Sequence, residues 1–381
     1  MNHLRILQLL PALGDGGVER SAVEMATYLS DRRMETWVAS RGGPLVADIE
    51  ACGAHHATLA VGSKSPFALV KAAFAVARLI DEQRIDIVHA RSRAPAWAAL
   101  MGIGISRRKP RFLTTFHGTY GHRSALKRLY NSAMLRTPVV IANSQFIRDH
   151  ITTVYGYPRD QIVVAPRGID PARFDPANVS PETRRSLRQQ LGAGDDEQLV
   201  VMIGRITGWK GHAVLIEAFA RLRRVNARLA FVGSGVETTI AEAKAKVTAL
   251  GIADRVLFAG SRRDVPAVLA AADLAVSAST RPEAFGRAAI EAQAMRTPII
   301  ATDHGGSRET VLHDKTGWLV TPGDVDHMAD TIRKALSDPT RLHAMGEAGR
   351  EHILANFTTQ SMLDKEFSAY ERVMHGGARL R

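Results

Sequence analysis

Short apolar runs alternate with longer amphipathic stretches along almost the whole chain. Residues 6–10, 35–40, 85–90, 111–116, 139–142 and 162–165 have the length and apolar content of buried strands. Helical spacing follows several of them, as over residues 18–30 and 67–83. Strands that alternate with helices predict a parallel sheet wound on both faces. The rhythm breaks at Gly168-Ile169-Asp170-Pro171 and Asp175-Pro176, passes a charged helical segment over residues 181–191, and ends the break at Gly192-Ala193-Gly194-Asp195-Asp196. A second series of strands then covers residues 199–203, 227–232, 256–259, 274–277, 299–302 and 318–320. Beyond Phe357 a last amphipathic helix runs to about residue 374, before a short basic tail. The pattern predicts an α/β protein of two doubly wound, Rossmann-like lobes, residues 1–170 and 171–357, with a terminal helical segment at 358–381.

A length of 381 residues suits two domains, and 45% hydrophobic with 23% charged residues is ordinary for a globular protein. The single cysteine, Cys52, excludes a disulfide within the chain and any cysteine metal cluster, which fits a reducing cytoplasm. The apolar run of the first ten residues is broken by Gln8 and passes into Gly14-Asp15-Gly16-Gly17, so it reads as a first strand rather than a secretory signal. No apolar stretch is long enough to span a bilayer. The expected location is the cytoplasm or the inner face of its membrane.

Charge changes this picture. The net charge is +12, and most of it lies in the first half: residues 1–170 carry 22 Lys and Arg against 13 Asp and Glu. Arg107, Arg108, Lys109, Arg111, Arg123, Lys127, Arg128 and Arg136 account for much of the excess. Within residues 124–135, Leu126, Leu129, Tyr130, Ala133 and Met134 fall at helical spacing. Two readings stay open: a solvated helix packed on the core, or a cationic surface for anionic lipid or an anionic acceptor.

The chemistry concentrates between Pro282 and Glu309. Glu283 and Glu291 stand eight residues apart, with Ala284-Phe285-Gly286-Arg287 between them and Gly305-Gly306-Ser307-Arg308-Glu309 further on. Turn residues precede good helix formers over 288–295, so Glu283 is expected in a loop and Glu291 about two turns into a helix. The backbone N–H groups of residues 284–287 would then be the open donors of a helix start, with Phe285, Gly286 and Arg287 as donor-binding positions. Two carboxylates flanking an anion site suit a ligand with hydroxyls at both ends and phosphates between, which describes a nucleotide-sugar. Arg205 and Lys210, between Gly204 and Gly211 and after an apolar strand, could clamp a diphosphate, the first as a planar fork and the second as a point charge. Trp209 is read as packing, or else as lining the cleft. Gly16 and Gly17 follow the first strand, where glycine lets a phosphate approach the backbone; a plain strand-to-helix turn explains them equally well. Asp324-Val325-Asp326 reads as a helix cap with first-turn acids, and no catalytic metal or other cofactor is expected.

Glu283 to Glu291 matches the Glu-x7-Glu signature of the large retaining glycosyltransferase family with the GT-B fold, group 1 or family four. Gly305-Gly306 with Glu309, and Gly204, Arg205, Lys210 and Gly211, match its other motifs in order and approximate spacing, over nearly the whole chain. The resemblance implies two lobes facing a central cleft and a terminal helix that crosses back to the first lobe. It implies that Glu291 binds ribose hydroxyls, that Glu283 holds a hydroxyl of the donor sugar, and that the first glycine-rich loop faces the donor phosphates and the acceptor. His117, in His117-Gly118 after a strand, resembles the family's histidine that looks across at the transferred sugar. Asn143-Ser144 and Arg167-Gly168-Ile169-Asp170 are similar to further family patterns, with Arg167 where asparagine is usual. The function implied is transfer of a sugar from a nucleoside diphosphate donor to an acceptor hydroxyl, with retention; the basic first lobe favours an anionic acceptor glycan or glycolipid at a membrane, as in lipopolysaccharide, lipid-linked or other cell-envelope glycan synthesis.

Three alternatives are weaker. A nucleotide-sugar epimerase of the same bilobal form needs a base for the proton beside the anomeric carbon, and no dedicated candidate stands out. A nicotinamide oxidoreductase needs Gly-x-Gly-x-x-Gly, whose third glycine is missing after Gly14 and Gly16, where Glu19 and Arg20 stand. A nucleic-acid-binding protein would explain the basicity, but 6% aromatic residues and no recognition-helix pattern argue against it.

Overall fold

In the first half of the chain β1 Arg5–Leu9, α1 Gly17–Asp31, β2 Glu35–Ser40, α2 Val46–Ala51, β3 His55–Thr58, α3 Pro66–Glu82, β4 Ile87–Ala90 and α4 Arg93–Ile105 follow one another. β5 Arg111–Phe116, α5 Ala125–Ser132, β6 Val140–Ala142, α6 Gln145–Tyr155 and β7 Ile162–Val164 complete this series. The second half opens with α7 Pro181–Gln190, β8 Gln198–Ile203, α8 His212–Ala220, β9 Ala227–Val232, α9 Glu237–Ala249, β10 Val256–Gly260 and α10 Val265–Ala271. It continues with β11 Leu274–Ser277, α11 Arg287–Ala294, β12 Ile299–Thr302, α12 Ser307–Thr310, β13 Gly317–Val320, α13 Val325–Leu336, α14 Pro339–Asn356 and α15 Thr359–His375. This computed structural model describes residues 4–375 apart from positions 15, 64 and 223. Asp15 of the first glycine-rich loop and the basic tail after His375 therefore lie outside the described residues.

The chain divides into two units, one built from residues up to Pro166 with those from Gln360 onward, the other from Arg167–Thr359. The described residues of the first form a seven-stranded parallel sheet in the order β3-β2-β1-β4-β5-β6-β7, and those of the second a six-stranded one, β10-β9-β8-β11-β12-β13. Helices cover both faces, so the inner strands are buried on both sides; Ile6, Leu7, Leu9, Ile87 and Val88 have no exposed surface.

Most strand positions agree with the hydrophobic pattern to within two residues. The exception is β3, whose residues His55-His56-Ala57-Thr58 carry no apolar run because it is an edge strand paired only to β2. The helix expected over residues 124–135 ends at Ser132 and tightens into a 3₁₀ turn, Ala133–Leu135.

The two crossings of the chain between the units lie side by side. Ile169 N–H donates to the Phe357 carbonyl (2.9 Å) and Thr359 N–H to the Ile169 carbonyl (2.8 Å). A Cβ on Gly168 would stand 2.3 Å from the Thr358 backbone, which accounts for glycine there.

Past this crossing α15 packs on the first unit, where Met362, Leu363, Ala369, Tyr370 and Val373 join Ile6, Met25, Leu29 and Ile87 in one core. Glu366 occupies the same stripe and is buried against Arg91, which also donates through Nε to Gln8 Oε1 (2.7 Å). His89 bridges Tyr370 Oη (2.6 Å) and Thr115 Oγ1 (2.7 Å) beside them.

Candidate functional site

In the second sheet the strand order reverses between β8 and β11, since β9 and β10 lie to one side and β12 and β13 to the other. Loops leaving the carboxyl ends of two such strands diverge, and the crevice between them is where open α/β sheets bind ligands. The residues singled out in the second half leave these ends. Arg205 and Lys210 follow β8, Glu283 follows β11, and Gly305-Gly306 follow β12.

The Lys210 ammonium lies 2.8 Å from Glu283 Oε1, and the Ser279 hydroxyl donates to the same oxygen. Both ends of the ion pair are largely enclosed, at 20% and 12% side-chain exposure, so solvent screens it little. The loops are tied by their backbones as well. Thr280 donates to the Trp209 carbonyl through its N–H (2.8 Å) and its hydroxyl (3.1 Å). Gly211 has φ +81°, and a Cβ there would fall 1.8 Å from the Ala278 carbonyl oxygen, so the glycine after Lys210 is a requirement of both conformation and approach. Trp209 is half-buried, with the Lys210 ammonium 4.8 Å from its ring centre.

Gly305-Gly306 serves the same loop from the other side. Gly306 N–H donates to the Glu283 carbonyl (2.9 Å), while a Cβ on Gly305 would come within 2.5 Å of that oxygen and one on Gly306 within 2.4 Å of the Phe285 Cα. The paired glycines let β12's loop lie against the main chain of residues 283–285.

Gly286 caps α11 with φ +86° and without any side-chain cap, so the first N–H groups of this helix remain available to an anion. Helix α11 starts at Arg287, which moves the open donors slightly past the expected 284–287 and puts Glu291 little more than one turn in, not two. Arg287 reaches down to Glu291 (3.1 Å) across that turn. Phe285, expected on the donor side, turns its ring into the core at 3% exposure against Phe357, centroids 5.6 Å apart. What it can offer a ligand is backbone. Arg205 is exposed and makes no ion pair among the described residues, in contrast to Lys210.

His212, first in α8, is buried, and burial together with the Lys210 charge lowers its pKa to about 4. It is neutral at pH 7 and adds no charge to the loop. Asp324 accepts from His327 N–H (2.9 Å) as the cap of α13, and Asp326 pairs with Arg221, so each Asp of that triplet has a structural partner.

In the first sheet the reversal lies between β1 and β4. Gly16, the uncapped N-cap of α1, and Gly17 follow β1; a Cβ on Gly16 would meet the Glu19 carboxylate at 2.2 Å. His117 follows β5, half-buried, with its carbonyl near Asn143 Nδ2 (3.5 Å). Arg167 is buried at the start of the second unit.

Ser279 escaped the sequence reading. It is an uncharged residue in Ala278-Ser279-Thr280, and only the fold brings its hydroxyl to Glu283.

Both halves of the chain are similar to known proteins. Residues 183–352 match the model of the glycosyl transferases group 1, and residues 15–173 that of glycosyltransferase family 4. A GDP-mannose-dependent alpha-(1-6)-phosphatidylinositol monomannoside mannosyltransferase of Mycolicibacterium smegmatis is 34% identical over 74% of this chain and 75% of its own. A crystal structure of a glycosyltransferase from Rickettsia africae superposes with a TM-score of 0.90 at 34% identity, covering 99% of this chain and 100% of the other. Anabaena HepE in complex with UDP-glucose superposes with a TM-score of 0.85 at 25% identity, over 97% and 100% of the two chains. With its paired parallel sheets and these relatives, the chain belongs to the group 1 glycosyltransferases of the two-lobed GT-B fold.

Proposed function

We propose that the protein moves a hexose from a nucleoside diphosphate sugar to an acceptor hydroxyl, with retention of the anomeric configuration and without a metal. The observation that carries this reading is the Lys210–Glu283 pair at the sheet's switch point, beside the uncapped start of α11. In this reading Arg205, Lys210 and the α11 N–H groups hold the diphosphate, and Glu291 holds the ribose hydroxyls. Glu283 holds a hydroxyl of the sugar, and His117 has the catalytic role that the family resemblance gives it. Bond cleavage places negative charge on the leaving diphosphate, and fixed cations and N–H dipoles aimed there lower the barrier. A leaving phosphate oxygen that takes the acceptor's proton would let the new bond form on the face the old one leaves.

Relatives suggest the chemistry of both substrates. One is named for GDP-mannose and a phosphatidylinositol glycolipid, and a structural neighbour holds UDP-glucose. The excess of 22 cations over 13 acids in residues 1–170 favours an anionic acceptor at the cytoplasmic face of a membrane, as in lipopolysaccharide or other cell-envelope glycan assembly. The test is incubation with UDP-, GDP- and ADP-sugars in EDTA, with slow donor hydrolysis and product anomer read by NMR. Hydrolysis of one donor class with the anomeric configuration kept is the expected result. Inversion would refute the retaining step, strict dependence on an added divalent ion would refute metal independence, and stabilisation by an oligonucleotide alone would remove the enzyme reading.

A further inference from the structure

Two helices of the first unit turn large apolar side chains outward. On α3, Phe67 is 83% exposed, Phe74 59% and Val70 42%; with Lys71 they fall at i, i+3, i+4 and i+7, one face of the helix. The opposite face, Ala72, Ala73, Val76, Ala77 and Ile80, is buried, and Gly102 of α4 sits close against Val76. α3 is therefore well packed, and its outer apolar residues are surplus to the core. On α5, residues 125–129 are all exposed, with Leu126 at 79% and Leu129 at 55%. The amphipathic pattern read from residues 124–135 is real, but Leu126 and Leu129 do not face the core.

The two helices share a layer. α3, α4 and α5 are the crossovers of β3 to β4, β4 to β5 and β5 to β6, successive steps in one direction across the sheet, so right-handed connections put them on one face. The Trp97 indole of α4 donates to the Tyr130 carbonyl of α5 (3.0 Å) and fixes their spacing. Both α3 and α5 begin at the carboxyl edge of the sheet, where Gly16, Gly17 and His117 also stand, so the exposed Phe and Leu side chains lie toward that edge.

Charge decides what covers this face. Between Asp86 and Asp149 the sequence has no carboxylate and eleven Lys and Arg, of which Arg123, Lys127 and Arg128 are exposed around α5. Lys71 stands beside Phe67 and Phe74, and the carboxylate of Glu82 is engaged by Arg78 (2.7 Å). A second copy meeting this face symmetrically would set cation against cation. An anionic lipid surface takes both components, the cations at its phosphates and the apolar side chains beneath them.

We propose that the outer faces of α3 and α5 dock the protein on an anionic phospholipid bilayer, with Phe67, Phe74, Leu126 and Leu129 entering the headgroup layer. This rests on the reading of a membrane-linked acceptor, and it brings the carboxyl edge of the first sheet to the surface from which such an acceptor protrudes.

The test is co-sedimentation of the full chain with phosphatidylcholine vesicles, with or without phosphatidylglycerol, at low salt. Wild type should partition onto the anionic vesicles, and Phe67→Ser/Phe74→Ser should lower that partition by about tenfold or more. Donor hydrolysis without vesicles should be unchanged in the variant, so loss of the docking surface is separable from failure of the transferase reading. Equal binding of wild type and variant would overturn the proposal, as would absence of wild-type binding. So would a wild-type dimer that the variant dissociates and that ignores vesicles.

Discussion

Glu283→Ala is expected to slow sugar transfer by about a hundredfold to a thousandfold, while affinity for the nucleoside diphosphate stays level or rises. Two consequences of one contact give this split. The carboxylate is held by Lys210 and Ser279, and its loop is seated on Gly305-Gly306; in the role proposed for Glu283 this positions it for a hydroxyl of the donor sugar before the donor arrives. Its removal deletes a positioned contact to the reacting sugar. The same change frees the Lys210 ammonium from its 2.8 Å partner and leaves it wholly to the diphosphate. Single-turnover rates together with calorimetric titration of UDP and GDP would measure both sides. Near-normal turnover would contradict the role given to Glu283. A fall in diphosphate affinity matching the fall in rate would contradict the competition for Lys210.

The second large effect lies in the core of the first unit. Glu366→Ala should cost the first unit about 3–5 kcal/mol, because it strands the Arg91 guanidinium in a buried site. Glu366→Gln keeps the shape and an acceptor oxygen, and its cost should be smaller. Arg91 retains Gln8 in either variant, but a neutral amide cannot offset a buried positive charge as a carboxylate does. Hydrogen exchange along α15 is the suitable measurement, since its apolar stripe and this ion pair together hold it to the sheet. Protection at residues 362–373 should drop in the alanine variant, and unchanged protection would show that the apolar contacts alone suffice.

What the sequence disclosed follows from which interactions are local. Strands buried on both faces need mostly apolar runs, so β8 is plain in the pattern, as are β1 and β9 despite Gln8 and Arg228, whereas the edge strand His55–Thr58 shows no such run. Arg287 and Glu291 are four apart on one helix and meet by helix geometry alone. Lys210 and Glu283 are 73 residues apart; motif order suggested one shared site for them, but not the ion pair that they form. Phe285 shows the converse: a motif places a residue near a site without saying whether its ring or its backbone serves it. A signal for Glu366 was present, since it falls on the stripe of Met362, Leu363, Ala369, Tyr370 and Val373, where an acid must find a partner. For Leu126 and Leu129 periodicity located an apolar face, but the medium that covers it is not a property of periodicity.

The central claim is that protein cations, not a metal, hold the donor's diphosphate. Titration of UDP and GDP in EDTA, against wild type, Arg205→Ala and Lys210→Ala, tests it most directly. Wild type should bind one of the two without any divalent ion, and each substitution should weaken that binding by about tenfold or more. Affinity that appears only with added Mg²⁺ or Mn²⁺, or that survives both substitutions unchanged, would contradict it.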